Sequence, residues 1–318
     1  MQERKLVFSG RGGELFLIEL VNVLLSVITL GIYYPWGKVR RIAFFYRNTS
    51  LEGTPFTFHG TGKEILLGYI KLILVFIILY VLLLVGAFTN SLFIVYLGLL
   101  VLFLGLIVLI PFMIHGALRY RLSRTSWRGI HMGYRGLKSE LLKEYLKGTI
   151  LTIITLGIYS PWFTIRLNKY IYSHVRLGSI CFDFEGSGKD LFFLHLKGII
   201  LTIITLGIYS FWYYKNYFNY LTSCYRAYQG EREIRFVAHL RAGTFIKTSI
   251  INALLAIITF GIALPWNTIR TLKMKFNAID ITGDFNPDEI EQTEEDYHDA
   301  TGASFLDAID IDIGDGLW

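Results

Sequence analysis

The sequence predicts an all-α integral membrane protein of about six transmembrane helices built from tandem repeats, with short interfacial helices and short β-strands or hairpins in its loops. Composition supports this class, because the 318 residues are 53% hydrophobic and only 18% charged, with a mean hydropathy of +0.47. Soluble proteins carry about 25% charged residues. A long uncharged stretch and a repeated apolar motif support the same class.

The uncharged stretch covers residues 72–118, which contain no Lys, Arg, Asp or Glu. One membrane span needs about 20 apolar residues, so the stretch is long enough for two spans. The polar break "FTNS" at 88–91 is the expected turn. We therefore predict a transmembrane hairpin over about 72–88 and 92–114.

The repeated motif is "LTIITLGIYS", which occurs at 151–160 and again at 201–210. Related copies surround Pro35 and Pro265, and a degenerate copy retains Pro111, whereas Phe211 replaces the proline in one copy. Internal repeats of this kind indicate stacked structural units. We predict five units over 1–60, 61–136, 137–186, 187–238 and 239–283, followed by an acidic tail over 284–318.

Each unit opens with a glycine-rich turn, an acidic residue and an apolar residue, which is typical of a helix start. One example, "GSGKD" at 186–190, lacks the spacing of a phosphate-binding P-loop. Uncharged windows follow at 20–37, 148–165, 198–214 and 248–269. At about 1.5 Å per residue such a window is barely long enough to cross a bilayer, and we count each as one span.

Each apolar window ends in a "GIYxPW" motif, where the glycine ends one helix, the proline begins the next and Tyr and Trp suit the headgroup level. A basic segment such as 163–175 follows, either as an interfacial helix or as a plain connector. Alternating aromatics then predict short strands at 56–60, 132–136 and 182–186. The expected helix-break and interface anchors are Gly31, Pro35, Trp36, Gly157, Pro161, Trp162, Gly207, Trp212, Gly261, Pro265 and Trp266.

With these "ITLGIYxPW" units, the "FxFxG" endings and the acidic tail, the chain resembles the YjgN family of bacterial multi-pass inner-membrane proteins. The resemblance covers nearly the whole chain. It implies an inner-membrane location in a Gram-negative bacterium. It implies no catalytic residues, because the molecular function of that family is not established.

Polar residues in the apolar windows are the candidate functional positions, since burying them in a bilayer is costly. Asn22 and Asn252 occupy equivalent positions, where they either bond each other or belong to a polar pathway. Four equivalent threonines are expected to bond their own helices: Thr29, Thr155, Thr205 and Thr259. We find no nucleophile motif, paired metal ligands or cofactor motif, and Cys181 and Cys224 are expected to be free thiols.

Charge divides the chain sharply. Residues 1–283 carry 31 basic and 13 acidic residues, a net charge of +18, whereas residues 284–318 carry 12 acidic and no basic residues. The basic part predicts contact with anionic lipid headgroups and not with nucleic acid. The tail is expected to be solvated, or to dock on the protein's own basic loops or on another protein.

Two functions fit the sequence, and neither is enzymatic. The first is a membrane scaffold, regulator or organiser of lipids or the envelope. The alternative is a transporter or channel-like protein built from inverted repeats. Every basic segment should be cytoplasmic, which six alternating spans do not allow. Re-entrant apolar segments would resolve this conflict, but six spans are the prediction we make.

Overall fold

The structure, a computed structural model, describes residues 5–88 and 91–293, in which helical hairpins alternate with β-strands. The first helices of the hairpins are α1 (Gly12–Ile28), α3 (Gly62–Phe88), α5 (Lys138–Ile154), α7 (Gly188–Ile204) and α9 (Ala242–Ile258). The second helices are α2 (Tyr34–Arg47), α4 (Leu92–Ser123), α6 (Ser160–Ser173), α8 (Ser210–Cys224) and α10 (Leu264–Phe276).

The strands of the described chain form one antiparallel sheet in sequence order. They are β1 (Leu6–Phe8), β2 (Thr49–Leu51), β3 (Thr54–Phe58), β4 (Thr125–Trp127), β5 (Ile130–Tyr134), β6 (Val175–Leu177), β7 (Ile180–Phe184), β8 (Tyr225–Gln229), β9 (Arg232–Ala238) and β10 (Ile279–Gly283). β1 approaches β10 again, where Lys5 Nζ lies 3.3 Å from Asp280 Oδ1. The sheet is therefore a nearly closed ring.

This topology gives the sheet two different edges. Tight turns join β2 to β3, β4 to β5, β6 to β7 and β8 to β9 at one edge, which we call the turn edge. The helical hairpins make every other connection, so they all leave from the opposite edge, the helix edge. Each helix packs on its sequence neighbours, and α1 also packs on α10. The helices therefore form a ring above the ring of strands.

Apolar side chains from every strand fill the inside of the sheet. The alternation of strand residues turns one face of each strand inward. The shared core comprises Leu6, Leu51, Phe56, Trp127, Ile130, Met132, Leu177, Ile180, Phe182, Ala227, Ile234, Phe236 and Ile281. Phe285 and Ile290, which follow β10, join this core. The interior of the sheet is thus a packed core and not a water-filled passage.

The starts of α1, α3, α5 and α7 carry the acid and apolar pair that the sequence repeats, whereas α9 has no acid in its first turn. Glu14, Glu64, Glu140 and Asp190 lie in first turns, where they favour the positive end of the helix dipole. The apolar residue after each acid is fully buried. For example, Leu15 packs with Phe44 of α2 and Ile269 of α10, so it joins the first hairpin to the last one.

The predicted fold class of an all-α protein with about six transmembrane helices is wrong in two respects. The described residues build a ten-stranded sheet, and each of the four repeated apolar windows bends back on itself instead of continuing as one span. Over residues 5–88 and 91–293, α4 is the one helix long and apolar enough to cross a membrane. The windows were misread because an 18-residue apolar run has the same composition whether it is straight or folded in half.

Other expectations about the elements have mixed outcomes. Helices α3 and α4 contain the predicted hairpin over 72–88 and 92–114 and pack on each other. The three expected strands at 56–60, 132–136 and 182–186 are present as β3, β5 and β7. Segment 163–175, expected as an interfacial or connector helix, is largely α6, the second leg of a hairpin. Residues 294–318 of the tail lie outside the described residues.

Candidate membrane-binding site

The tips of the four short hairpins share one hydrogen-bonded turn, built around the threonine that aligns in the sequence. Thr155 is the C-cap of α5, and its hydroxyl donates to the carbonyl of Leu151 at 2.7 Å. The same oxygen accepts from the backbone N–H of Tyr159 at 3.0 Å. The equivalent pair of bonds occurs at Thr29, Thr205 and Thr259. Each threonine therefore ties the end of one helix to the turn that follows.

The two residues after each threonine close the helix in a Schellman arrangement. The N–H of Gly157 bonds the carbonyl of Thr152 at 2.7 Å, and the N–H of Leu156 bonds Ile153 at 3.1 Å. Leu156 has a φ of +51° and Gly157 a φ of +93°. Glycine normally occupies the first of these positions, because an L-residue in the left-handed region costs about 1–2 kcal/mol. Leu30, Leu206 and Phe260 have the same positive φ.

These strained residues are also the most exposed large apolar residues of the tips. The exposed fractions are 94% for Leu30, 92% for Leu156, 94% for Leu206 and 97% for Phe260. Isoleucines on either side, such as Ile154 and Ile158, are exposed as well. Large apolar side chains exposed together at a tip indicate contact with a membrane or a partner. The backbone strain indicates that the apolar side chain itself is needed there.

The second helix of a short hairpin begins with a Pro-Trp pair, except that Phe211 replaces the proline in α8. Pro161 is buried at the start of α6, and the rings of Tyr159 and Trp162 stack with centroids 6.1 Å apart. Trp162 also covers Gly188 at the start of the next hairpin, where an added Cβ would lie 2.4 Å from the indole. The same contact joins Trp36 to Gly62 and Trp266 to Gly12. These aromatic residues therefore connect neighbouring hairpins.

The two legs of each short hairpin meet at the position of the aligned asparagines and glycines. Asn22 donates to the carbonyl of Gly37 at 2.9 Å, and Asn252 donates to Thr271 Oγ1 at 2.9 Å. In the other two hairpins, Gly148 and Gly198 make room for the rings of residues 163 and 213. The two asparagines thus bond within their own hairpins and not with each other.

The other sequence-predicted anchors lie in the same tips. Gly31, Gly207 and Gly261 have positive φ, as Gly157 does. Pro35 and Pro265 lie in the first two residues of α2 and α10, and Trp212 stacks on Tyr209. What the sequence analysis did not single out is the residue before each glycine. The sequence does contain a pattern that marks this residue, because a bulky apolar residue stands between the C-cap threonine and the glycine in all four copies.

The charged residues all stop short of the tips. The last charge before the first tip is Glu19 and the next is Lys38, and Glu19 pairs with Arg41 at 3.4 Å between the legs. The eleven-residue step from Glu19 to Leu30 reaches at most about 16 Å. From Lys147 to Leu156 the reach is at most about 14 Å. Since half of a hydrocarbon core is about 15 Å, these two hairpins match one leaflet in length.

The turn edge of the sheet carries a second cluster, formed with the start of the tail. Asp288 pairs with Arg128 at 2.7 Å, and Glu289 pairs with Arg232. Hydrogen bonding to Arg232 lowers the pKa of Glu289 below its usual range. Thr293 Oγ1 donates to the carbonyl of Gly178 at 2.7 Å. Residues 285–293 therefore close the end of the sheet that is far from the apolar tips.

Groups suited to metal binding or to nucleophilic chemistry are sparse. Over residues 5–88 and 91–293, no three His, Cys, Asp or Glu side chains are arranged to hold a metal ion. Cys181 and Cys224 are free thiols, and burial raises the pKa of Cys224 to about 11. A thiol with that pKa is protonated and unreactive at neutral pH.

Comparison with known sequences places the chain in a family. The model of a family described as "Bacterial protein of unknown function (DUF898)" matches residues 3–182, 179–223 and 213–308. Those ranges include every helical hairpin and every strand described above. The chain belongs to the DUF898 family. The family assignment carries no stated activity, so the function rests on the geometry.

Three curated relatives are named "Inner membrane protein YjgN". The relative from Salmonella typhimurium is 41% identical over 177 residues, which is 54% of this chain and 42% of the relative. The relatives from Escherichia coli O157:H7 and Escherichia coli strain K12 are 38% and 36% identical over 128 residues, which is 40% of this chain and 30% of each relative. The chain thus aligns with less than half the length of these relatives. No solved structure matches.

Proposed function

We propose that this chain is a non-enzymatic membrane scaffold that inserts its four short hairpins into one leaflet and thereby organises lipids. One observation carries the proposal. Four exposed tips, each with a large apolar residue in a strained left-handed conformation, leave from one edge of a single sheet. Water would favour glycine at these positions, whereas a lipid environment favours the apolar side chain because it is removed from water.

The membrane placement follows from helix lengths. The short first helices have 17 residues, whereas α3 has 27 and α4 has 32. From Lys71 to Phe88 the chain can rise about 26 Å, and from Leu92 to Arg119 about 40 Å. We place α4, which is long and apolar enough to cross, across the whole bilayer. We place α3, which packs along it, beside it as a second and shorter crossing, which makes the protein multi-pass, and the short hairpins within one leaflet.

The orientation follows from the charges. Because every helical hairpin leaves from the helix edge, all the basic segments beside the sheet lie on one side of the membrane in this arrangement. Positive charge marks the cytoplasmic side of a membrane protein. The relatives are named inner membrane proteins, so we place the sheet on the cytoplasmic face of the bacterial inner membrane. Anionic headgroups are the expected partners of the basic segments, and nucleic acid is not.

The transporter alternative has less support. Inverted repeats place successive units in opposite orientations in the membrane, whereas these hairpins all leave from one edge of the sheet. A route through the sheet would also have to pass its apolar core, where Trp127, Phe285 and Ile290 pack together. For these reasons we favour the scaffold.

The test measures sidedness and depth. Single cysteines replace Lys189 and Glu231, both exposed, in a background without Cys181 and Cys224. A membrane-impermeant thiol reagent should label both from the cytoplasmic side. A fluorophore on a third cysteine that replaces Ile208 should be quenched most by lipids brominated deep in the acyl chains. Labelling of the first two cysteines from opposite sides would refute the proposal. So would a fluorophore at position 208 that is quenched only by a water-soluble quencher.

A further inference from the structure

A large cavity lies between the first and last helical hairpins. Its volume is about 1040 Å³, slightly above the roughly 300–1,000 Å³ of most ligand pockets. Val27 and Leu30 line it at the exposed tip, and Phe45 and Leu272 line it towards the sheet. The cavity therefore extends from the part of the hairpin that enters the leaflet to the level of the charged residues.

The lower part of the cavity carries a net positive charge. Lys38 and Arg41 of α2 and Arg121 of α4 line it, together with a single acid, Glu19. Lys38 is only 8% exposed, so its ammonium group lies inside the wall and not in bulk water. Asn22 Oδ1 is buried beside the same cavity with no hydrogen-bond partner. A cavity with apolar upper walls and cationic lower walls matches an amphiphile with an anionic headgroup.

The repeated units provide an internal control for these charges. The position of Lys38 is occupied by Thr164, Tyr214 and Thr268 in the other short hairpins, and the position of Arg41 by Leu167, Tyr217 and Thr271. Those hairpins form the same turn and the same leg packing without a cation there. The two basic residues are therefore not required to build a hairpin. Arg41 also pairs with Glu19 between the legs, so the buried Lys38 is the cation that most distinguishes this interface from the others.

We propose that this cavity binds an anionic phospholipid, whose phosphate contacts Lys38, Arg41 and Arg121 and whose acyl chains lie along Val23, Val27 and Leu30. Phosphate forms charge-assisted hydrogen bonds with Lys and Arg, and basic pockets between membrane helices on the cytoplasmic side are suited to anionic headgroups. The inference rests on the proposed function, because the mouth of the cavity must open into a leaflet for lipid to enter.

The test is thermal unfolding of the full chain in detergent micelles, titrated with short-chain phosphatidylglycerol. A ligand that binds the folded state raises the melting temperature in a saturable manner. We expect that rise with phosphatidylglycerol, and no rise with phosphatidylcholine of the same chain length or with inorganic phosphate. A rise with inorganic phosphate alone would reassign the cavity as a simple anion site and overturn the lipid assignment.

Lys38→Gln should weaken phosphatidylglycerol binding about tenfold, which is the effect of losing one charge-assisted hydrogen bond. Arg40→Gln is the matched control, because Arg40 is exposed on the same helix and does not line the cavity. If Lys38→Gln does not fold, Arg121→Gln removes a charge from the opposite wall. Equal binding by a cavity variant and the control would refute the inference.

The depth measurement at Ile208 keeps the two proposals separate. A tip that lies deep in the leaflet, combined with no preference for phosphatidylglycerol, would refute only the lipid site. A tip that lies in water would refute the scaffold and, with it, the route by which lipid reaches the cavity.

Discussion

The short hairpins and the α3–α4 hairpin begin alike and end differently. All start at the helix edge of the sheet. The first helices α1, α3, α5 and α7 each have an acid in the first turn followed by a buried apolar residue. The short ones turn after 17 residues, and α3 turns after 27. The extra ten residues add about 15 Å, which is one leaflet. In the proposed membrane placement, one design therefore produces a half-membrane or a whole-membrane hairpin through its length alone.

The two kinds of hairpin also differ in what their tips require. A short tip holds a bulky apolar residue at positive φ, such as Phe260, which agrees with the proposed position of the tip inside the leaflet, where no water reaches the side chain. The long hairpin ends near Phe88 and is expected to reach the far headgroups. The chemistry at a tip therefore reports its depth, and a comparison of equivalent substitutions tests that statement.

The largest expected effect is that of a charge at the tip of a short hairpin. Phe260→Asp places a carboxylate near the middle of the bilayer, where it should cost about 2.5–3.5 kcal/mol. Phe88→Asp is the matched variant, because Phe88 is 84% exposed and Phe260 is 97% exposed. It should cost far less, since the far interface hydrates the charge.

Chemical unfolding in lipid vesicles measures the free energy of unfolding of both variants, Phe260→Asp and Phe88→Asp. A fluorophore on a cysteine that replaces Ile262 reports whether the charged tip of α9–α10 moves towards the surface. Val7→Asp serves as a second control, because Val7 is an exposed apolar residue on the sheet. If Phe88→Asp were the more costly change, the assignment of half-membrane and whole-membrane hairpins would have to be reversed.

A smaller effect is expected where the legs of a short hairpin touch. Gly198→Ala adds a Cβ 2.2 Å from the ring of Tyr213, so the legs must separate or the ring must move. Overpacking of this kind costs about 1–3 kcal/mol. Tyr213 also bonds His195 through its hydroxyl at 2.6 Å, which restricts its movement.

Gly243→Ala is the control for this change, because an added Cβ there meets nothing within 4 Å. We expect it to be neutral or slightly stabilising, since alanine favours a helix. Equal unfolding free energies for the two variants would mean that the legs of the α7–α8 hairpin are not closely packed.

The sequence predicted the helix starts, the positions of three strands and the break at each "GIYxPW" motif, because glycine, proline and alternating aromatics act locally. It did not predict the span count or the sheet. Whether residues 148–165 form one helix or two depends on Leu156 and Gly157 adopting positive φ, which hydropathy does not report. Whether β3 pairs with β4 depends on contacts across an intervening hairpin of more than 60 residues.

The candidate site was missed for a related reason. Gly157 and Pro161 are predicted from the sequence as a break, whereas Leu156 reads as one more apolar residue in a span. Its exposure and its backbone strain appear only once the chain is seen to turn back. The threonines could be interpreted from spacing alone, because a hydroxyl that bonds the carbonyl four residues earlier needs no tertiary context.

The smallest expected effect concerns the strain itself. Leu156→Gly should remove a left-handed backbone penalty of about 1–2 kcal/mol from the folded state, although glycine also makes the unfolded chain more flexible and offsets part of this gain. In detergent we therefore expect the free energy of unfolding to change by less than about 1 kcal/mol, and towards stability.

In a bilayer the same variant also loses the burial of a leucine side chain, worth about 1.5–3 kcal/mol, so it should be less stable than the parent chain. The sign of the effect should therefore reverse between detergent and vesicles, provided that the detergent leaves the tip in contact with water. Unfolding of the parent and the variant in both media measures that reversal. A variant that is destabilised equally in both would show that Leu156 serves the fold of the hairpin and not its contact with lipid.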